Sequence, residues 1–143
     1  MKPLVLATIF AFALPAAHAE AVDLILEVEG ARSGKGHVVA TLFQDEESFL
    51  RHPSKEKRVE ISPGGSALIV FDALPPGDYA VSIFHDADAD GELDTGLFGI
   101  PSEDVGFSNN ARGRFGPAKW NDASFQLGQS GGSISIRLGK AKR

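Results

Sequence analysis

The chain has 143 residues, 14 Lys+Arg against 19 Asp+Glu for a formal charge of −5, and no cysteine. Without cysteine there is no disulfide framework, thiol nucleophile, zinc–thiolate site or dithiol redox pair. The acidic balance argues against a general nucleic-acid binder, which needs a basic surface for phosphates. An apolar content of 43% at this length suits one packed domain rather than disorder.

In chain order, the first segment reads as an address. Lys2 gives a positive start, residues 4–14 are an unbroken apolar run, Pro15 closes it, and Ala17-His18-Ala19 follows. Charged start, apolar run and small-x-small site are the three parts of a secretory signal. The run is too short to span a bilayer, which takes about 20 apolar residues. Residues 1–19 are therefore expected to be a signal peptide, and 20–143 a single domain in the periplasm or outside the cell. Removing Lys2 and no acid makes the mature chain one unit more negative. No later segment is apolar and long enough to cross a membrane.

The mature chain alternates strand and turn. Residues 22–29 place Val22, Leu24, Leu26 and Val28 on one face, and the Gly/Ser/Lys segment 30–36 turns the chain. Residues 37–43 are β-branched and apolar, as in a strand buried on both sides. Residues 45–50 suggest one helical turn, ended by His52-Pro53. Val59 and Ile61 alternate with Glu60 and Ser62, and strands follow at 66–72 and 79–85. The basic residues Lys55, Lys57 and Arg58 read as a solvated edge. Two short strands, 122–127 and 133–138, close the domain. About seven strands with turn signals at roughly 8–12-residue spacing predict an all-β fold, an antiparallel β-sandwich. Residues 86–121 are left as one long loop, which must be tied down or functional.

That loop opens with the strongest local motif, Asp86-Ala87-Asp88-Ala89-Asp90-Gly91-Glu92-Leu93-Asp94. A hard cation such as calcium takes six to eight oxygens, and acids at alternate positions of a tight loop deliver them to one centre. Gly91 permits the positive φ that returns the chain. Asp86, Asp88, Asp90 and Asp94 would offer carboxylates and Glu92 its backbone carbonyl. The twelfth position is Leu97 and the preceding segment is a strand, so the loop is no EF-hand; Glu103 is a candidate replacement ligand. The alternative is a solvated acidic turn in which Asp suits the backbone. His85 lies at the rim of a core-facing strand, either hydrogen-bonded to loop backbone or available as a ligand or general base. Leu74-x-Pro76-Gly77-x-Tyr79 resembles a tyrosine corner, a structural feature of β-sandwiches. Phe107, Asn109, Asn110, Arg112, Arg114, Phe115 and Trp120 either pack the long loop onto the sheet or line a shallow site for sugar or peptide. No GxSxG or comparable nucleophile setting occurs.

Phe71-Asp72-Ala73-Leu74-Pro75-Pro76-Gly77-Asp78-Tyr79-Ala80-Val81, His85-Asp86, Asp90-Gly91-Glu92-Leu93-Asp94, Phe98-Gly99-Ile100-Pro101 and Gly106-Phe107-Ser108-Asn109-Asn110 together resemble the secreted bacterial family DUF2141. The family often has Glu-Asn and Asn where this chain has Ala87-Asp88 and Asp90, so the loop here is more acidic. The resemblance implies an exported sandwich and no established activity. The Pro-Gly-x-Tyr segment is also similar to prealbumin-like and carboxypeptidase-regulatory-like sandwiches. The expectation is a non-enzymatic binding or interaction module for a protein or carbohydrate partner, with a calcium-stabilised loop. The competing readings are a metal-assisted hydrolase using His85 and the Asp cluster, and a purely structural envelope protein.

Overall fold

The structure, a computed structural model, describes residues 18–141. The expected signal segment lies outside the described residues apart from His18 and Ala19. Strands β1 (Val22–Glu29), β4 (Ala67–Leu74) and β8 (Gly132–Arg137) form one sheet in the order β4-β1-β8. Strands β2 (His37–Phe43), β3 (Lys55–Glu60), β5 (Gly77–Asp86) and β6 (Val105–Phe107) form the other in the order β3-β2-β5-β6. Strand β7 (Phe125–Leu127) pairs with the start of β5. The two sheets make the expected all-β sandwich. Among the described strand pairs only β1–β8 is parallel. No described helix is long and apolar enough to cross a membrane.

Periodicity places the core. The two-residue repeat of a strand sends Leu24, Leu26 and Val28 of β1 inward, where they meet Ile69 and Phe71 of β4 and Ile136 of β8. Val38, Ala40 and Leu42 of β2 face them from the second sheet, with Val81 and Ile83 of β5. Fully burying a residue such as Phe71 contributes about 1.5–3 kcal/mol. Strand β2 is buried on both sides, as its unbroken apolar run demands. Its Phe43 joins Ala80, Phe49, Ala118 and Ala123 in a second cluster outside the sheet. Phe49 meets Phe43, Phe107 and Trp120 edge-on, with ring centroids 5.3, 6.4 and 5.8 Å apart. Phe107 and Trp120 are thus packing residues that hold the long segment on the sheet.

The tyrosine corner is present. The Tyr79 hydroxyl donates to the Pro75 carbonyl at 2.6 Å, and burial pushes its pKa above the ordinary value. The amides of Ser108-Asn109-Asn110 are also structural. Ser108 Oγ accepts from Val81 N–H at 2.9 Å and donates to the Ala123 carbonyl at 2.5 Å. Asn109 Nδ2 donates to the Ser124 carbonyl at 2.8 Å, and Asn110 Oδ1 accepts from Arg137 N–H at 2.8 Å. Both asparagines have positive φ, a conformation their short polar side chains tolerate.

Three expectations change. The basic run is no simple solvated edge. It forms the first part of β3, an edge strand whose lysines and glutamates blunt further pairing. Lys55 and Lys57 reach the opposite sheet, donating to the Asp72 carbonyl at 2.7 Å and to Asp72 Oδ1 at 2.8 Å. The segment 86–121 is not one loop, because Val105–Phe107 pairs with β5. Gly106 allows that pairing, since a Cβ there would lie 2.8 Å from the Ile136 side chain and 3.1 Å from that of Ile83. Residues 122–127 begin in a helical turn, α1 (Trp120–Ala123), and only Phe125–Leu127 is strand. Helical φ/ψ lets α1 bury Ala123 in the second cluster, which an extended chain through residue 122 would not do.

Candidate metal centre

The acidic loop leaves the end of β5 and is organised by its own carboxylates. Asp86 is fully buried. Its Oδ1 accepts from Asp90 N–H at 3.1 Å and its Oδ2 from Gly91 N–H at 2.9 Å. Arg58 Nη2 lies 2.8 Å from the same Oδ2. Three of about four acceptor positions on this carboxylate are therefore used. Asp86 acts chiefly as the loop's anchor, with one lone-pair direction on Oδ1 left for an ion. Strand pairing fixes its place, opposite His37 of β2. Gly36 packs close beneath, and a Cβ on it would collide with the Asp86 carbonyl.

Asp88 and Asp90 make local turns of the kind that favour Asp. Asp88 Oδ1 accepts from Asp90 N–H at 3.3 Å, and Asp90 Oδ1 accepts from Glu92 N–H at 2.8 Å. Gly91 takes φ 86°, the turn expected of it. Glu103 returns from the far end of the loop and bridges it. Its Oε1 accepts from Ala87 N–H at 3.1 Å and its Oε2 from Asp94 N–H at 3.2 Å. The next residue holds Glu103 in place. Asp104 is buried, and Arg32 Nε reaches its Oδ2 at 2.6 Å, while the Asp104 carbonyl accepts from His85 N–H at 2.9 Å.

Two groups of carboxylates converge. One oxygen each from Asp86, Asp88 and Glu103 lie within 4.8 Å of one another, and so do oxygens of Asp88, Asp90 and Asp94. Asp88 belongs to both. Repulsion from Asp88, then partial desolvation, then Asp90 and Asp86, pushes the Asp94 carboxyl above its ordinary value. Hard oxygen donors in a flexible loop are the donor set that calcium takes, so the residues present fit such an ion. The structure thus brings Asp88, Asp90 and Asp94 together in one group, and Asp86 and Asp88 together with Glu103 in another. The Glu92 carboxylate belongs to neither group.

His85 stands apart. It is buried, and its Nε2–H donates to the Lys35 carbonyl at 2.7 Å, tying the β1–β2 turn to β5. It joins neither carboxylate group. Sequence reasoning did not foresee Arg58 at this site. Only the antiparallel pairing of β3 with β2, and of β2 with β5, carries it to within reach of Asp86.

Over residues 26–135 the sequence matches the family described as uncharacterized protein conserved in bacteria (DUF2141). The chain belongs to this family. No curated protein and no solved structure matches it. The motifs quoted for the resemblance fall at the tyrosine corner, the acidic loop and the Ser108-Asn109-Asn110 staple.

Proposed function

We propose that the protein is an exported, non-enzymatic β-sandwich module that binds a protein or carbohydrate partner, and that calcium holds its acidic loop. The observation that carries the ion is the overlap of two carboxylate groups at Asp88, with Glu103 closing the loop from its far end. Asp88, Asp90, Asp94 and Glu103 would hold calcium, with Asp86 ordering the backbone around it and the Glu92 carbonyl a further oxygen. The ion supplies charge neutralisation and a tie across the loop, where a chain without cysteine has no disulfide to do so. Export rests on the signal pattern of residues 1–19. Recovery of the chain from the exported fraction with Glu20 as its first residue checks it.

Thermal melting in calcium and in chelator tests the ion. A ligand that binds only the folded state adds about 2.7 kcal/mol at one hundred times its Kd. Calcium should raise the Tm, magnesium less so, and Asp88→Ala should abolish the rise. No shift, or the same shift in Asp88→Ala, returns the loop to a solvated acidic turn.

A further inference from the structure

Beside the acidic loop, whose Leu93 contributes to the lining, the outer face of the β3-β2-β5-β6 sheet carries an apolar cleft of about 650 Å³. That volume falls within the roughly 300–1,000 Å³ of small-molecule sites. Strands β5 and β6 form its floor, and the segments 98–101 and 112–117 form its walls. Phe98, Ile100, Phe107 and Phe115 line it, and among the described residues no carboxylate does. Among the described residues, the charged side chains in its lining are Arg112 and Lys140. Neither has an ion-pair partner among the described residues, although acids outnumber bases in this chain.

The wall residues are not explained by the core. Phe98 is 96% exposed and Phe115 86% exposed. Phe98 also holds φ 62° and ψ 23°, a left-handed conformation that a bulky side chain rarely adopts. A strained backbone that presents an aromatic ring to solvent beside an apolar hollow is arranged for a ligand rather than for packing. Arg114 sits over the Phe115 ring, 5.7 Å from its centroid, and adds positive charge to that wall. The apolar lining selects an apolar body, and the cations Arg112 and Lys140 select an anionic head.

From this complementarity we propose that the cleft binds a long-chain carboxylate, with its acyl chain against Phe98, Ile100, Phe107 and Phe115 and its head group on Arg112 and Lys140. The inference goes beyond the reading of the protein as a module for a protein or carbohydrate partner and stands on the cleft alone. The ligand class is a free, single-chain, fatty-acid-like molecule.

Calorimetric titration of the full protein with monomeric dodecanoate tests this. One site per chain is expected. Dodecyltrimethylammonium, with the same tail and the opposite charge, should bind at least tenfold more weakly. The double variant Arg112→Gln/Lys140→Gln alters two exposed side chains. It should melt as the parent does, lose at least tenfold in dodecanoate affinity, and keep its affinity for uncharged dodecanol. Phe98→Ser should weaken dodecanoate and dodecanol alike. The proposal falls if dodecanoate does not bind, if both head groups bind equally, or if the variants bind dodecanoate as the parent does. It falls equally if the protein sediments with anionic vesicles but takes up no monomeric dodecanoate, which would make the face a membrane surface. A failed titration leaves the calcium shift in Tm intact, and an absent calcium shift leaves the titration intact, so the two readings fail separately.

Discussion

The inter-sheet core and the segment between β5 and α1 are built on different principles. The core is redundant: Leu24, Leu26, Leu42, Ile69, Phe71 and Ile136 are all fully buried and belong to one cluster. The segment between them has few such residues. Leu97, Phe98 and Phe115 face solvent, and order comes from carboxylates and amides that accept or donate at single backbone groups. Apolar burial is non-directional and tolerates adjustment, whereas a buried carboxylate serving three donors tolerates none. The sheets therefore supply stability, and the segment supplies shaped, charged surface. Binding chemistry is expected on the second kind of structure.

Breaking each region should give a different signature. Phe71→Ala removes the largest fully buried side chain and should cost about 3–5 kcal/mol in chemical denaturation. The loss is expected to be global, with amide exchange accelerated in both sheets. Asp86→Asn keeps the shape but turns an acceptor into a donor facing Arg58, Asp90 N–H or Gly91 N–H. About 2–3 kcal/mol should be lost, since hydrogen bonds to charged groups are the strong ones. Exchange should quicken at Asp90 and Gly91 and not at Val81. Uniform quickening throughout the sheets would mean that the loop and the core are one cooperative unit.

The smallest effect belongs to the pair that joins the sheet edges. The hydrogen bond from Lys57, then the Asp72 backbone, then the charges of Lys57 and Lys55, hold the Asp72 carboxyl below its ordinary 3.8. A lowered folded pKa means stability present above the unfolded value and lost as pH falls through the folded one. Denaturation midpoints of the parent and Asp72→Asn should therefore differ slightly near neutrality and converge below about pH 4. Added salt should shrink the difference, because the pair is exposed. A gap that persists at pH 2 would show that packing, not charge, joins those edges.

Much of the architecture was legible in residue patterns because strand burial has a period of two. That period placed β1 and β5 and their inward faces, and an unbroken apolar run placed β2. The Pro-Pro-Gly-x-Tyr turn located the corner at Tyr79, and the Asp alternation located the acidic loop. The short elements were hidden. Val105–Phe107 is three residues with a central glycine, and only the edge of β5 makes it a strand. Lys55–Glu60 is charged at every position but Val59, so the alternation at Val59 and Ile61 marks only its end. Glu103 and Arg58 are distant from Asp86 in sequence, and their roles depend on loop closure and sheet register.

The sequence by itself determined the class of the fold, the family and the presence of a concentrated acidic loop, because all three follow from local composition and spacing. Tertiary structure decided which acids meet and that Arg58 joins them. It also decided that Arg112 and Lys140 stand beside an apolar cleft with no ion-pair partner among the described residues. Those are facts about distance between residues far apart in the chain, and distance is set by strand pairing and packing rather than by local propensity.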